Sequence, residues 1–110
     1  MPITDSELMQ VLHYGKAEDL ALLPTVRQSG GLFTHILIAT AGSARHAAAL
    51  AERVQKAQKQ AGDKKSRIEA SEEREWVLID CGDIIVHIMQ RAARERYQLE
   101  ALWGFEEEDG

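Results

Sequence analysis

Trp76-Val77-Leu78-Ile79-Asp80-Cys81-Gly82-Asp83-Ile84-Ile85-Val86-His87-Ile88-Met89 is the stretch on which the fold turns. Its two apolar runs, 76–80 and 84–89, are rich in branched aliphatic residues, which pack well on a pleated surface. Each is of strand length and falls short of an ordinary helix. Cys81-Gly82 lies between them, flanked by Asp80 and Asp83, and glycine and aspartate are the residue types of tight reversals. The stretch predicts an antiparallel hairpin.

Downstream, a closing helix is expected from about Arg91, burying Ala92, Leu99, Leu102 and Trp103 with Tyr97 at its shoulder and Gly104 as its stop. Glu106-Glu107-Glu108-Asp109 is a like-charged run, so residues 105–110 are expected to form an acidic mobile tail after a single domain at 1–104.

Upstream, Ser71-Glu72-Glu73-Arg74-Glu75 reads as a charged loop and Ser66–Ala70 as a short strand after the Asp63-Lys64-Lys65 loop. A long helix is predicted from a Ser43 cap to Gly62, with Ala47, Leu50, Ala51, Val54, Ala57 and Ala61 inward and Arg53, Lys56 and Lys59 in water. Phe33–Thr40 becomes apolar on both faces, as an inner strand does, and follows a turn at Ser29-Gly30-Gly31. Leu20–Leu23 ends at Pro24, which lacks an amide donor and suits an edge strand. At the start, Thr4 and Glu7 form a capping box for a helix with Leu8, Val11 and Leu12 on one face and Gly15 as its stop. The expected fold is α/β, a central mixed sheet of about five strands with helices on its faces.

Of 110 residues, 45% are hydrophobic and 28% charged, which excludes wholesale disorder. Thirteen Lys and Arg against 18 Asp and Glu give a net charge of −5, so gripping nucleic-acid phosphates is not the expected main task. An acidic surface is instead steered towards a basic protein. One cysteine permits no internal disulfide and suggests a reducing compartment. No secretory signal is visible, and no apolar stretch approaches the ~20 residues of a membrane helix. A cytoplasmic location is expected.

Few residues form a catalytic pattern. Thr40-Ala41-Gly42-Ser43 stands at a strand-to-helix junction but lacks the lysine and spaced glycines of a phosphate loop. A small nucleotidyltransferase-like enzyme would use Ser43, Asp80 and Asp83, yet those aspartates flank a turn and do not alternate along a strand, and Ser43 reads first as a helix cap. His35, His46, His87 and Cys81 come from different elements without zinc-like spacing. A Cys81, His87 and Asp80 triad lacks any cation or helix terminus to activate the thiol. No catalytic residue, metal or cofactor is therefore expected. His87 alternates with Ile85 and Met89, as a hydrogen-bonded, half-buried residue would, and the basic run of Lys56, Lys59, Lys64, Lys65 and Arg67 reads as a solvated face. Trp76 opens its strand beside a run of charge, where a tryptophan serves as a core anchor or an interface residue. A homodimer paired through a sheet edge is a further architecture open to this chain.

The 76–89 stretch closely resembles the signature of the ribosomal silencing factor family, the Iojap-like proteins: a tryptophan, an apolar strand, Asp-x-Gly-Asp, a second apolar strand and Val-His. The resemblance continues through Arg94, Tyr97, Leu99-Glu100 and Leu102-Trp103. Upstream it takes in Lys16-Ala17-Glu18-Asp19-Leu20, Ile38-Ala39-Thr40, Ser43, His46 and Glu69. The chain departs from the family pattern at Pro24, Thr34, Ala41 and Ala70, which bears on the pairing of the first strand. The resemblance implies a nucleotidyltransferase-like sheet without the catalytic carboxylates. It also implies binding to the large ribosomal subunit through that subunit's ribosomal protein fourteen, obstruction of small-subunit joining, and repression of translation when nutrients are short. A sheet-rim surface around Glu69, Trp76 and Leu78, with Asp80 beside them, is expected to make the contact, on the premise of an exposed tryptophan beside charged loops. No membrane and no direct nucleic-acid readout are expected, and a homodimer of the free protein stays open.

Overall fold

Five strands pair into one sheet in the spatial order Glu18–Pro24, His35–Ala41, Ile84–Gln90, Trp76–Asp80 and Arg67–Ala70. The structure is a computed structural model and describes residues 3–24, 30, 34–62 and 67–97. The strands are β1 (Glu18–Pro24), β2 (His35–Ala41), β3 (Arg67–Ala70), β4 (Trp76–Asp80) and β5 (Ile84–Gln90). The helices are α1 (Asp5–Tyr14), α2 (Ala44–Gln60) and α3 (Arg91–Tyr97), and a 3₁₀ turn occupies Glu72–Arg74. β2 and β5 run parallel at the centre, and the other neighbouring pairs are antiparallel. The sheet is mixed, as the sequence predicts.

One face of the sheet carries the larger core. Leu37, Ala39, Val77, Ile79, Val86 and Ile88 pack there beneath Leu8 and Leu12 of α1 and Leu50 and Val54 of α2. Capping holds both helices in place. Thr4 accepts from the Glu7 amide while the Glu7 carboxylate accepts from the Thr4 amide. Ser43 accepts from the His46 amide, and Gly62 follows α2 in the left-handed region at φ +97°. His46 Nδ1 accepts from the Gly42 N–H (2.9 Å), so its Nε2 carries the proton and donates to the Gly15 carbonyl (2.8 Å).

Gly15 caps α1 at φ −81°, and Lys16 beyond it takes the left-handed turn at φ +69°. Glycine is needed at 15 for space and not for its dihedrals. A Cβ there would lie 2.6 Å from Leu50 Cδ2 and 3.1 Å from Arg53 Cδ, and Leu50 is fully buried. Gly15→Ala is expected to cost about 1–2 kcal/mol through overpacking, read as a thermal midpoint lower by several degrees.

The opposite face has a second core of Ile36, Ile38, Met89 and Ala93, with Ala21, Leu23, Trp76 and Ile85 packed against it. Here the sequence expectation for the last helix needs correction: Ala92 is exposed and Ala93 is buried. α3 begins directly after β5, so its phase is set by the strand's exit, which turns Ala93 under the sheet beside Met89. Leu99, Leu102, Trp103, Gly104, the 105–110 tail, Phe33, Ser29, Gly31 and the 63–66 loop lie outside the described residues.

β1 is an edge strand ending at Pro24, which pairs with His35, and its register slips between Glu18 and Ala21. Asp19 there has φ +50°. Arg91 binds Glu18 (2.6 Å) and Asp19 (3.0 Å), while Arg94 donates to the Asp19 carbonyl and to Thr40 Oγ1 (2.8 Å). The irregular start of β1 is thus tied to α3.

Candidate partner-binding face

The face of β4 opposite the two longer helices presents Trp76, Leu78 and Asp80, because side chains two apart share a face of a strand. Register extends the row sideways: Glu69 of β3 pairs with Leu78, which pairs with His87 of β5, which pairs with Ile38 of β2. The structure therefore brings Glu69, Trp76, Leu78 and Asp80 onto one face. Glu69 is exposed on the edge strand, Leu78 and Asp80 are half-buried, and Asp80 Oδ1 accepts from the Gly82 N–H (2.9 Å).

The tryptophan differs from its expected setting. Trp76 is half-buried, not exposed at the rim: β3 pairs with β4 only as far as Val77, and the indole packs on the second core beside His87 and Tyr97. Its indole N–H donates to His87 Nδ1 (2.9 Å), and the Tyr97 ring of α3 lies 4.8 Å away at 47°. Its backbone is anchored too: the Ser71 N–H donates to the Trp76 carbonyl, and the Trp76 N–H donates to Ser71 Oγ (3.1 Å). The Ser71–Glu75 turn bends through left-handed Glu73 and Arg74, whose carbonyls accept from the Gln90 side chain.

His87 is only 7% exposed, and desolvation by burial lowers its pKa to about 4. It is neutral at pH 7, with Nδ1 as acceptor and the proton on Nε2. His87 is hydrogen-bonded, as its place in the strand predicts, and its partner is the Trp76 indole. Strand alternation carries a partial signal, since it puts Trp76, Leu78 and His87 on one face. The role of Tyr97 depends on where α3 docks, which spacing does not reveal. Tyr97 is 47% exposed and sits under the Arg96 guanidinium, 5.2 Å from its ring centroid, while Arg96 bridges to Glu75 (3.0 Å).

The residues weighed for catalysis are placed otherwise. Ser43 caps α2, and Asp80 and Asp83 serve the hairpin turn, where the Asp83 carbonyl accepts from the Thr34 N–H (2.7 Å). Gly82 takes φ +87° in that turn, and Cys81 is buried with its N–H donating to the Ile84 carbonyl. His35 Nδ1 lies 3.0 Å from Thr34 Oγ1. Among the described residues, no three His, Cys, Asp or Glu side chains converge as metal ligands, and no helix is long and apolar enough to cross a membrane.

The chain is similar in sequence and in fold to known proteins. The family model described as "Ribosomal silencing factor during starvation" matches residues 2–110. A protein of Chromobacterium violaceum named ribosomal silencing factor RsfS is 43% identical over 89 residues, covering 81% of this chain and 72% of its own. A crystal structure of a protein from Chromobacterium violaceum superposes with a TM-score of 0.81 at 38% identity, covering 91% of this chain and 82% of the other. A mouse protein named mitochondrial assembly of ribosomal large subunit protein 1 is 28% identical over 102 residues, covering 87% of this chain and 43% of its own. With its signature hairpin folded as a strand pair and the family model matching residues 2–110, the chain belongs to the ribosomal silencing factor family.

Proposed function

We propose that this chain binds the large ribosomal subunit through that subunit's ribosomal protein fourteen, in the cytoplasm, and obstructs joining of the small subunit, which represses translation under nutrient limitation. The observation that carries the reading is the face formed by Trp76, Leu78, Glu69 and Asp80 in a chain of this family. A large aromatic beside an aliphatic, bordered by carboxylates, has the make-up of an interface centre with a polar rim. The name of the mouse relative, which refers to assembly of the large subunit, supports the choice of subunit.

Obstruction requires a competing interface and no chemical step, so the proposed role is that of a regulator and not an enzyme. A standard interface takes about 800 Å² from each partner, which a molecule with 6797 Å² of accessible surface supplies. The net charge of −5 favours encounter with a basic ribosomal protein. Sedimentation of purified subunits with this protein tests the reading. Comigration with the large subunit and loss of joined ribosomes are expected, and full subunit joining in saturating protein overturns it.

A further inference from the structure

β5 is apolar from Ile84 to Met89 except at one position, His87. A buried imidazole on a central strand costs desolvation that an aliphatic side chain there would avoid. Its Nδ1 accepts the Trp76 indole N–H at 2.9 Å, and the two rings stand 5.8 Å apart at 47°. His87 is held in turn by pairing with Leu78 on one side and Ile38 on the other. The Tyr97 ring limits the indole from α3. A half-buried tryptophan without that hydrogen bond would sample more side-chain rotamers and lose them on binding, whereas a held one meets its partner already ordered.

We propose that His87 is a positioning residue for the docking face, its Nδ1 lone pair fixing the angle at which the Trp76 indole meets a protein partner on the large subunit. This rests on the docking function proposed above. The recognised chemistry is a basic protein surface with an apolar recess: the recess takes the indole edge and Leu78, and the basic rim meets Glu69 and Asp80.

The test is a cycle of variants read by comigration with large subunits at a temperature where circular dichroism shows each folded. His87→Leu, which removes the acceptor, is expected to weaken binding roughly tenfold. His87→Asn, which returns an oxygen acceptor near the position of Nδ1, is expected to bind within about threefold of the parent. In a Trp76→Phe background there is no N–H to position, so adding His87→Leu is expected to change binding less than about twofold. A merely structural histidine would lose the same factor in both backgrounds, and that result overturns the proposal. So does a folded His87→Leu that binds like the parent, or an asparagine variant as weak as the leucine one. The indole N–H resonance, identified by its loss in Trp76→Phe, reads the positioning with no ribosome present. Slow solvent exchange is expected in the parent and in His87→Asn, and fast exchange in the parent overturns the proposal. Failure of the parent to comigrate while its indole N–H stays protected removes the docking function instead.

Discussion

Trp76→Ala is expected to weaken binding to large ribosomal subunits by about 30-fold or more, equivalent to ~2 kcal/mol, the range of a buried aromatic anchor at an interface centre. The loss has two sources. The indole is the largest side chain among Glu69, Trp76, Leu78 and Asp80, and an aromatic ring of that size buries a large apolar area on contact. Its removal also strips the donor from His87 Nδ1 and the ring neighbour from Tyr97, loosening what remains of the face. Because Trp76 packs against Ile36, Ile38, Met89 and Ala93, the substitution also lowers stability. Gly15→Ala supplies the control: it destabilises the α1–α2 layer on the other side of the sheet and should leave subunit binding unchanged while both variants are folded. The measurement is comigration with purified large subunits across a protein titration. Retention of parental binding by a folded Trp76→Ala would move the interface elsewhere.

Acid is expected to destabilise the fold through His87, and the sign follows from its lowered pKa of about 4 against an ordinary 6.5. Above pH 6.5 the imidazole is neutral in both the folded and unfolded chain and contributes no pH dependence. Below that, the unfolded chain binds a proton that the folded chain refuses until about pH 4. Stability therefore falls as the pH drops across this window, by about 3 kcal/mol at its lower end. Urea midpoints of the parent and of His87→Asn at several pH values isolate the effect, since the other titrating groups are common to both. The difference between the two should change steadily from pH 7 to pH 4. A constant difference would mean that His87 reaches solvent and protonates in the folded protein.

Local chemistry made much of this molecule legible in advance. The Thr4–Glu7 capping box, the Ser43 cap, the inward stripe of α2 and the β4–β5 hairpin depend on residues within a few positions of one another. Pro24 marked an edge strand because a missing amide is tolerated only where no neighbour needs it. The family motif lies mostly within that hairpin, so the family was legible as well. Errors arose where a position depended on distant partners. Ala92 was assigned the buried place that Ala93 holds, since the phase of α3 follows from how β5 delivers it. Trp76 is expected at the rim from its charged neighbours, whereas the second core and the Tyr97 ring that cover its indole are contributed by other elements of the fold.

Sequence alone was enough to mark the strands and helices, the apolar side of each except α3, and the family to which the signature belongs. These follow from periodicity and turn chemistry, which act over a few residues. Long-range packing set β2 parallel beside β5, Glu69 across from Leu78, and Trp76 between His87 and Tyr97. Strand order and the docking of α3 are set by contacts between residues tens of positions apart, whose energies depend on the packed whole and leave no local pattern to read.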